Sequence, residues 1–118
     1  MFGVPRLLLR VIFWAAAAFT LVMALLPLPP QLPGSPSDKV QHMLAFATLA
    51  ALSSIAYRSA TFLKLAIILS AFGAVIELLQ AIPELHRDSS TLDWIADTAA
   101  AILVLAGINR WRSRRQTG

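Results

Sequence analysis

Four long apolar stretches, at residues 7–28, 40–57, 62–82 and 92–108, make up most of this chain, with short polar or proline-rich segments between them. A helix crossing about 30 Å of hydrocarbon needs about 20 residues, with about 17–25 tolerated. All four stretches reach that length, the second only just. In lipid every backbone polar group must be satisfied within the protein, which leaves helices as the solution for segments this long and continuous. The expected fold is therefore all-α, a four-helix transmembrane bundle formed by a single domain over residues 1–118. Composition agrees: 58% of residues are hydrophobic and 14% charged, against about 45–50% and about 25% in soluble domains.

The charges are sorted along these stretches. If each one spans, Arg6, Arg10, Arg58, Lys64, Arg110, Arg112, Arg114 and Arg115 share one side. Asp38, Lys39, His42, Glu77, Glu84, His86, Arg87, Asp88, Asp93 and Asp97 lie at or near the other. The excess of Lys and Arg in short loops marks the cytoplasmic side. Both termini are thus expected in the cytoplasm, in a multi-pass membrane protein. Trp111, inside the basic run at 110–115, fits headgroup depth, with arginines facing anionic lipid. The net charge of +4 does not point to nucleic acid, because the cations are dispersed at span ends without an aromatic stacking platform. With no cysteine in the chain, disulfides and thiolate chemistry are excluded. Arg6 and Arg10 resemble the basic start of a signal peptide. The apolar run then continues to Leu28, beyond the usual 7–15 residues, and favours a retained first span.

Local signals set the helix ends. Pro27, Pro29, Pro30 and Pro33 stop the first helix near Leu26. Ser37 or Asp38 can cap the second, which should run to about Tyr57. Pro83 closes the third after Ile82, and Ser90 or Thr91 can cap the fourth, with Asp93 in its first turn. Ala96, Ala99, Ala100 and Ala101 permit close packing of that last helix.

Polar residues recur at one depth on three helices. His42 follows Asp38 at i,i+4, Glu77 and Gln80 are i,i+3 neighbours, and Asp93 and Asp97 are again i,i+4. At 1.5 Å per residue, Glu77 lies roughly 8–9 Å below Pro83. Ionisable groups at such depth cost about 2.5–3.5 kcal/mol each on insertion scales. They are tolerated where they face one another or a water-filled cavity. A structural network that fixes helix packing is one reading. Its weakness is that neutral Ser, Thr or Asn would hold helices together at a lower desolvation cost.

In order and spacing these residues resemble the VanZ-like family of small bacterial membrane proteins. The resemblance rests on Asp38-Lys39-x-x-His42, on Glu77-x-x-Gln80, and on Arg87-x-x-Ser90-x-x-Asp93-x-x-x-Asp97. It covers about residues 37–108. Asp97 stands where that family usually has Asn, and Phe46 where it often has Tyr. The resemblance implies a protein of the bacterial inner membrane and cell envelope, linked to glycopeptide resistance.

Two functions follow from the polar layer. In the first, an enzyme acts on a lipid or lipid-linked headgroup at the outer leaflet. Glu77 or His42 would be the general base, since burial raises a carboxylate's pKa and histidine already titrates near neutrality. Lys39 and Arg87 would hold a phosphate or carboxylate, with Gln80, Asp38, Asp93 and Asp97 completing the substrate site. No nucleophile stands out, so the attacking group would be an activated water or a substrate hydroxyl. In the second, the same cavity only binds such a headgroup or a cell-wall precursor, or the helices dock on a larger complex. The expected partners are membrane lipids and a lipid-linked or cell-wall precursor, with homo-oligomerisation left open and no cofactor implied. His42, Glu77, Asp93 and Asp97 have metal-ligand chemistry, but mixed oxygen–imidazole sites carry no diagnostic spacing.

Overall fold

The computed structural model describes residues 5–26, 38–83 and 91–117, and the side chains among them except at 38, 39 and 115–117. Among these residues there are four helices and no strand: α1 (Arg6–Leu25), α2 (Asp38–Ala56), α3 (Phe62–Gln80) and α4 (Thr91–Thr117). The expected all-α architecture is present, with two adjustments to its boundaries. Helix α1 stops where the prolines require, and its last turn closes through Leu26 N–H to Val22 O at 3.2 Å. Helix α3 ends at Gln80, two residues before the expected Ile82, with Ala81 as its cap. Helix α4 does not end near Ile108 but continues through the basic run to Thr117. Nothing in residues 109–117 breaks a helix: the stretch holds neither Gly nor Pro, and arginine and glutamine are good helix formers. Between α2 and α3 the chain turns tightly. Ala60 N–H reaches Tyr57 O, and the Thr61 side chain accepts from Lys64 N–H at the start of α3.

Long-range hydrogen bonds fix how the helices run. Arg10, near the start of α1, donates to Ala56 O at the end of α2. Gln80, ending α3, donates to Ala24 O, near the end of α1. Arg112, late in α4, donates to Ser54 O in the last turn of α2. Consecutive helices are therefore antiparallel. One end of the bundle collects Arg6, Arg10, Arg58, Lys64, Arg110, Arg112 and Arg114. The other collects Asp38, His42, Glu77, Asp93 and Asp97.

Helix α2 is the interior helix. It packs most extensively on α4 and next on α1, while α3 packs chiefly on α4. Its buried residues Phe46, Leu49, Ala50, Ser53 and Ser54 recur at helical spacing, a wide apolar stripe of the kind a core-facing helix shows. On α4 the seam is Asp97, Ala101 and Leu105, all buried. Of the four alanines expected to pack closely, Ala101 alone is fully buried and Ala99 faces outward.

The exterior is apolar. Leu7, Trp14 and Phe19 on α1, Leu63 and Leu78 on α3, and Leu92 and Leu103 on α4 are among many large hydrophobics more than half exposed. Three helices are long and apolar enough to cross a membrane: Arg6–Leu25, Phe62–Gln80 and Thr91–Arg114. The apolar part of α2, Val40–Ala56, is shorter, as its marginal sequence length implied. A chain that leaves its two most apolar helices, α1 and α3, largely exposed is built for lipid surroundings, since monomers in water rarely expose contiguous apolar patches beyond a few hundred Å². Hydroxyls obey the same constraint. Thr20, Thr48 and Ser53 each donate to a carbonyl three or four residues back in their own helix, which satisfies them without water.

Candidate functional site

At Gly73 the backbone of helix α3 meets side chains of both α2 and α4. A Cβ at that position would stand 3.2 Å from the Trp94 ring and 3.4 Å from the Phe46 ring, so the missing side chain lets two aromatic residues press on the α3 backbone. Phe46 is fully buried and lies 5.9 Å from Phe72 between ring centroids. The position where the resembled family often has a tyrosine is thus core here, not a hydroxyl donor. Trp94 is held in place by its indole N–H, which donates to Ser70 O at 3.0 Å, and Ser70 and Thr98 share a hydroxyl contact at 3.3 Å.

This contact sets the level of the polar residues. His42 is one turn before Phe46 on α2, and Glu77 is one turn after Gly73 on α3, each on the same face as its neighbour. Because α2 and α3 are antiparallel, His42 and Glu77 occupy the same level, towards the acidic end. Asp97 follows Trp94 by three residues on α4, towards the basic end. It therefore lies deeper than His42 and Glu77, near the level of Ser70, and not at the one depth expected. Asp93 lies one turn nearer the acidic end. Glu77 is 9% exposed and Asp97 3%, while His42 and Asp93 are half-buried. Burial of two carboxylates in so short a bundle is costly unless each is hydrogen-bonded. Glu77 and Asp97 both interact with neighbouring groups, but among the described residues Asp97 Oδ1 is buried without a hydrogen-bond partner.

Next to Glu77 the surface opens into a groove of about 360 Å³ between α3 and α4, lined by Ala74, Glu77, Leu78, Ala81, Thr91 and Trp94. It has one carboxylate, one hydroxyl and an otherwise apolar wall. Such a groove can take a ligand that is part hydrocarbon and part polar, with Glu77 as acceptor or base. Among the described residues, no three of His, Asp and Glu come close enough to hold a metal ion. The ligand chemistry of His42, Glu77, Asp93 and Asp97 is therefore not gathered into one metal centre.

Gln80 is placed differently from its expected role in substrate binding. It is 2% exposed, and its amide donates to Ala24 O at 2.9 Å. That carbonyl belongs to the last turn of α1, where no intrahelical donor follows. Gln80 is a structural tie between two helix ends. Arg87 lies outside the described residues, as do the side chains of Asp38 and Lys39.

Two arginines also depart from expectation. The basic run was expected to face lipid headgroups, yet Arg112 turns inward and donates to Ser54 O at 2.8 Å. Arg10 does the same to Ala56 O at 3.3 Å. Helix α2 has no basic residue in its own last turn, so cations from α1 and α4 cap its carbonyls and its dipole. Nothing in the local sequence of α2 signals this. The charge sorting between helix ends was the only available hint.

These features define a helical protein with an apolar exterior, a basic end built on arginine caps and an acidic end with buried carboxylates beside a groove. Comparison with family models, curated proteins and solved structures gives no match.

Proposed function

We propose that this chain is a VanZ-like integral membrane protein of the bacterial cell envelope, which binds or processes a lipid or cell-wall-related headgroup at the outer leaflet. The observation that carries the reading is the burial of Glu77 and Asp97 at the acidic end, with Glu77 on the wall of an open groove. Intramembrane carboxylates are expensive and are usually kept for binding or proton transfer. In this reading the apolar wall takes the hydrocarbon, and Glu77 accepts a proton or hydrogen bond from the headgroup. His42, at the same level, serves as a second acid–base group, and Arg87 and Lys39 from the adjoining segments attract its phosphate or carboxylate. The basic end faces the cytoplasm by the charge rule, with both termini inside.

The test is native mass spectrometry of detergent-purified protein, wild type beside Glu77→Gln and Arg87→Ala, with co-purifying lipids identified. A lipid present in wild type and lost from both variants, at unchanged thermal stability, is the expected result. A lipid that survives Glu77→Gln refutes the assignment of that groove. Loss of turnover on the captured species in Glu77→Gln and His42→Ala would make the site catalytic, and retained turnover in both would exclude that chemistry.

A second reading, in which the polar layer only fixes helix packing, is favoured for one residue by its bond: Gln80 on Ala24 O. Empty spectra accompanied by a large stability loss in Glu77→Gln would extend that reading to the whole layer.

A further inference from the structure

The basic end has a cleft of its own. It measures about 240 Å³ and is walled by apolar side chains of two helices, Phe13 of α1 and Leu65, Ile68 and Leu69 of α3, with Trp14, Ser53, Tyr57 and Lys64 also on its lining. Lys64 is exposed. Trp14 donates its indole N–H to the Tyr57 hydroxyl at 2.8 Å, which leaves the phenol O–H as a donor. The Arg10 guanidinium stacks on the opposite partner of that pair, 4.6 Å from the centre of the Tyr57 ring, while its Nε–H holds Ala56 O. None of the six acidic residues belongs to the helix segments at this end.

We propose that this cleft is a lipid site: it takes part of one acyl chain of an anionic glycerophospholipid, whose phosphate rests on Lys64 beside Tyr57 and Arg10. The walls supply hydrocarbon contact, and the rim supplies cations and a hydroxyl. Trp and Tyr at this level match the depth at which aromatic residues meet headgroups. The charge is one-sided, which selects an anionic headgroup over a zwitterionic one. A second copy of the chain is a poor occupant. One turn of an entering helix displaces about 400 Å³ from its diameter and pitch, more than the cleft holds. The site rests on lipid surroundings but not on the acidic end, whose variants leave these residues untouched.

The test is native mass spectrometry of the whole protein from micelles equilibrated with equal amounts of phosphatidylglycerol and phosphatidylcholine. Wild type should retain phosphatidylglycerol about fivefold over phosphatidylcholine, the weight of one Lys or Arg against an anionic surface. Lys64→Gln should bring that ratio near one. Ile68→Trp, which fills the cleft from a partly exposed position, should lower retention of both lipids. Arg110→Gln, at the same end but off the cleft, should keep the wild-type ratio. Circular dichroism of each variant verifies the helical fold. Equal retention in wild type, a preference that survives Lys64→Gln, or the same loss in Arg110→Gln would overturn the proposal. So would a lipid-free dimer, which would put a second copy on this face.

Discussion

Replacing Gln80 by leucine removes one donor, keeps most of the volume, and strands a carbonyl. In the wild type, Ala24 O sits in the last turn of α1, and the prolines that follow keep the helix from supplying a partner. Gln80 supplies one at 2.9 Å from a position that is almost fully buried. The net worth of a neutral hydrogen bond is about 0.5–1.5 kcal/mol, and stranding a buried acceptor raises the loss to about 1–3 kcal/mol. Side-chain hydrogen bonds measured between membrane helices average about 0.6 kcal/mol, which sets the lower end. Gln80→Leu should therefore cost about 0.6–2 kcal/mol, roughly a 3- to 30-fold fall in the folded-to-unfolded ratio. The assay is reversible unfolding in mixed micelles with increasing sodium dodecyl sulfate. Gln80→Glu should be worse than Gln80→Leu at neutral pH, because an ionised carboxylate sets acceptor against acceptor. Acidification gives the introduced carboxyl an O–H donor and should restore most of the loss. A leucine variant as stable as wild type, or a glutamate variant that is the better of the two at neutral pH, would refute the capping role.

Further outcomes follow from the same geometry. Arg112→Ala should cost about 1.5–3 kcal/mol, the range for hydrogen bonds to charged groups, measured by the same unfolding assay. Gly73→Ala should fall within about 1 kcal/mol of wild type, since helix propensity gained offsets a Cβ only 3.2 Å from Trp94. Gly73→Leu should overpack the contact and cost about 1–3 kcal/mol. Thr61→Ala removes the side chain that caps α3 and should cost about 0.5–2 kcal/mol. Single cysteines, available because the chain has none, report its sidedness. Ser59→Cys and Thr91→Cys should be labelled from opposite faces of sealed vesicles, and labelling from one face would overturn the antiparallel crossing.

Charge sorting along the sequence anticipated the most consequential feature of the bundle, its basic and acidic ends. Hydropathy and helix length assign each ionisable residue to a helix end, and antiparallel neighbours then bring alternate ends together. Buried Asp97 and Glu77 were likewise legible, because helical spacing puts them on the same faces as core residues. The role of Gln80 was not. Its motif spacing with Glu77 suggested a shared ligand, but a side chain's partner on another helix is invisible in spacing.

The sequence by itself determined four helices, most of their limits, their alternation and the sorting of charge. Each of these depends on properties local to the chain: apolar length, proline stops, capping hydroxyls and the period of the helix. Only the tertiary structure decided that α2 is the interior helix, that Arg10 and Arg112 cap it, that Gln80 ties α3 to α1, and that Trp14 and Tyr57 meet over a cleft. The bonds behind these join residues 43 to 58 positions apart. Their formation depends on how finished helices settle against one another, with every buried carbonyl in an apolar medium seeking the nearest donor from any helix.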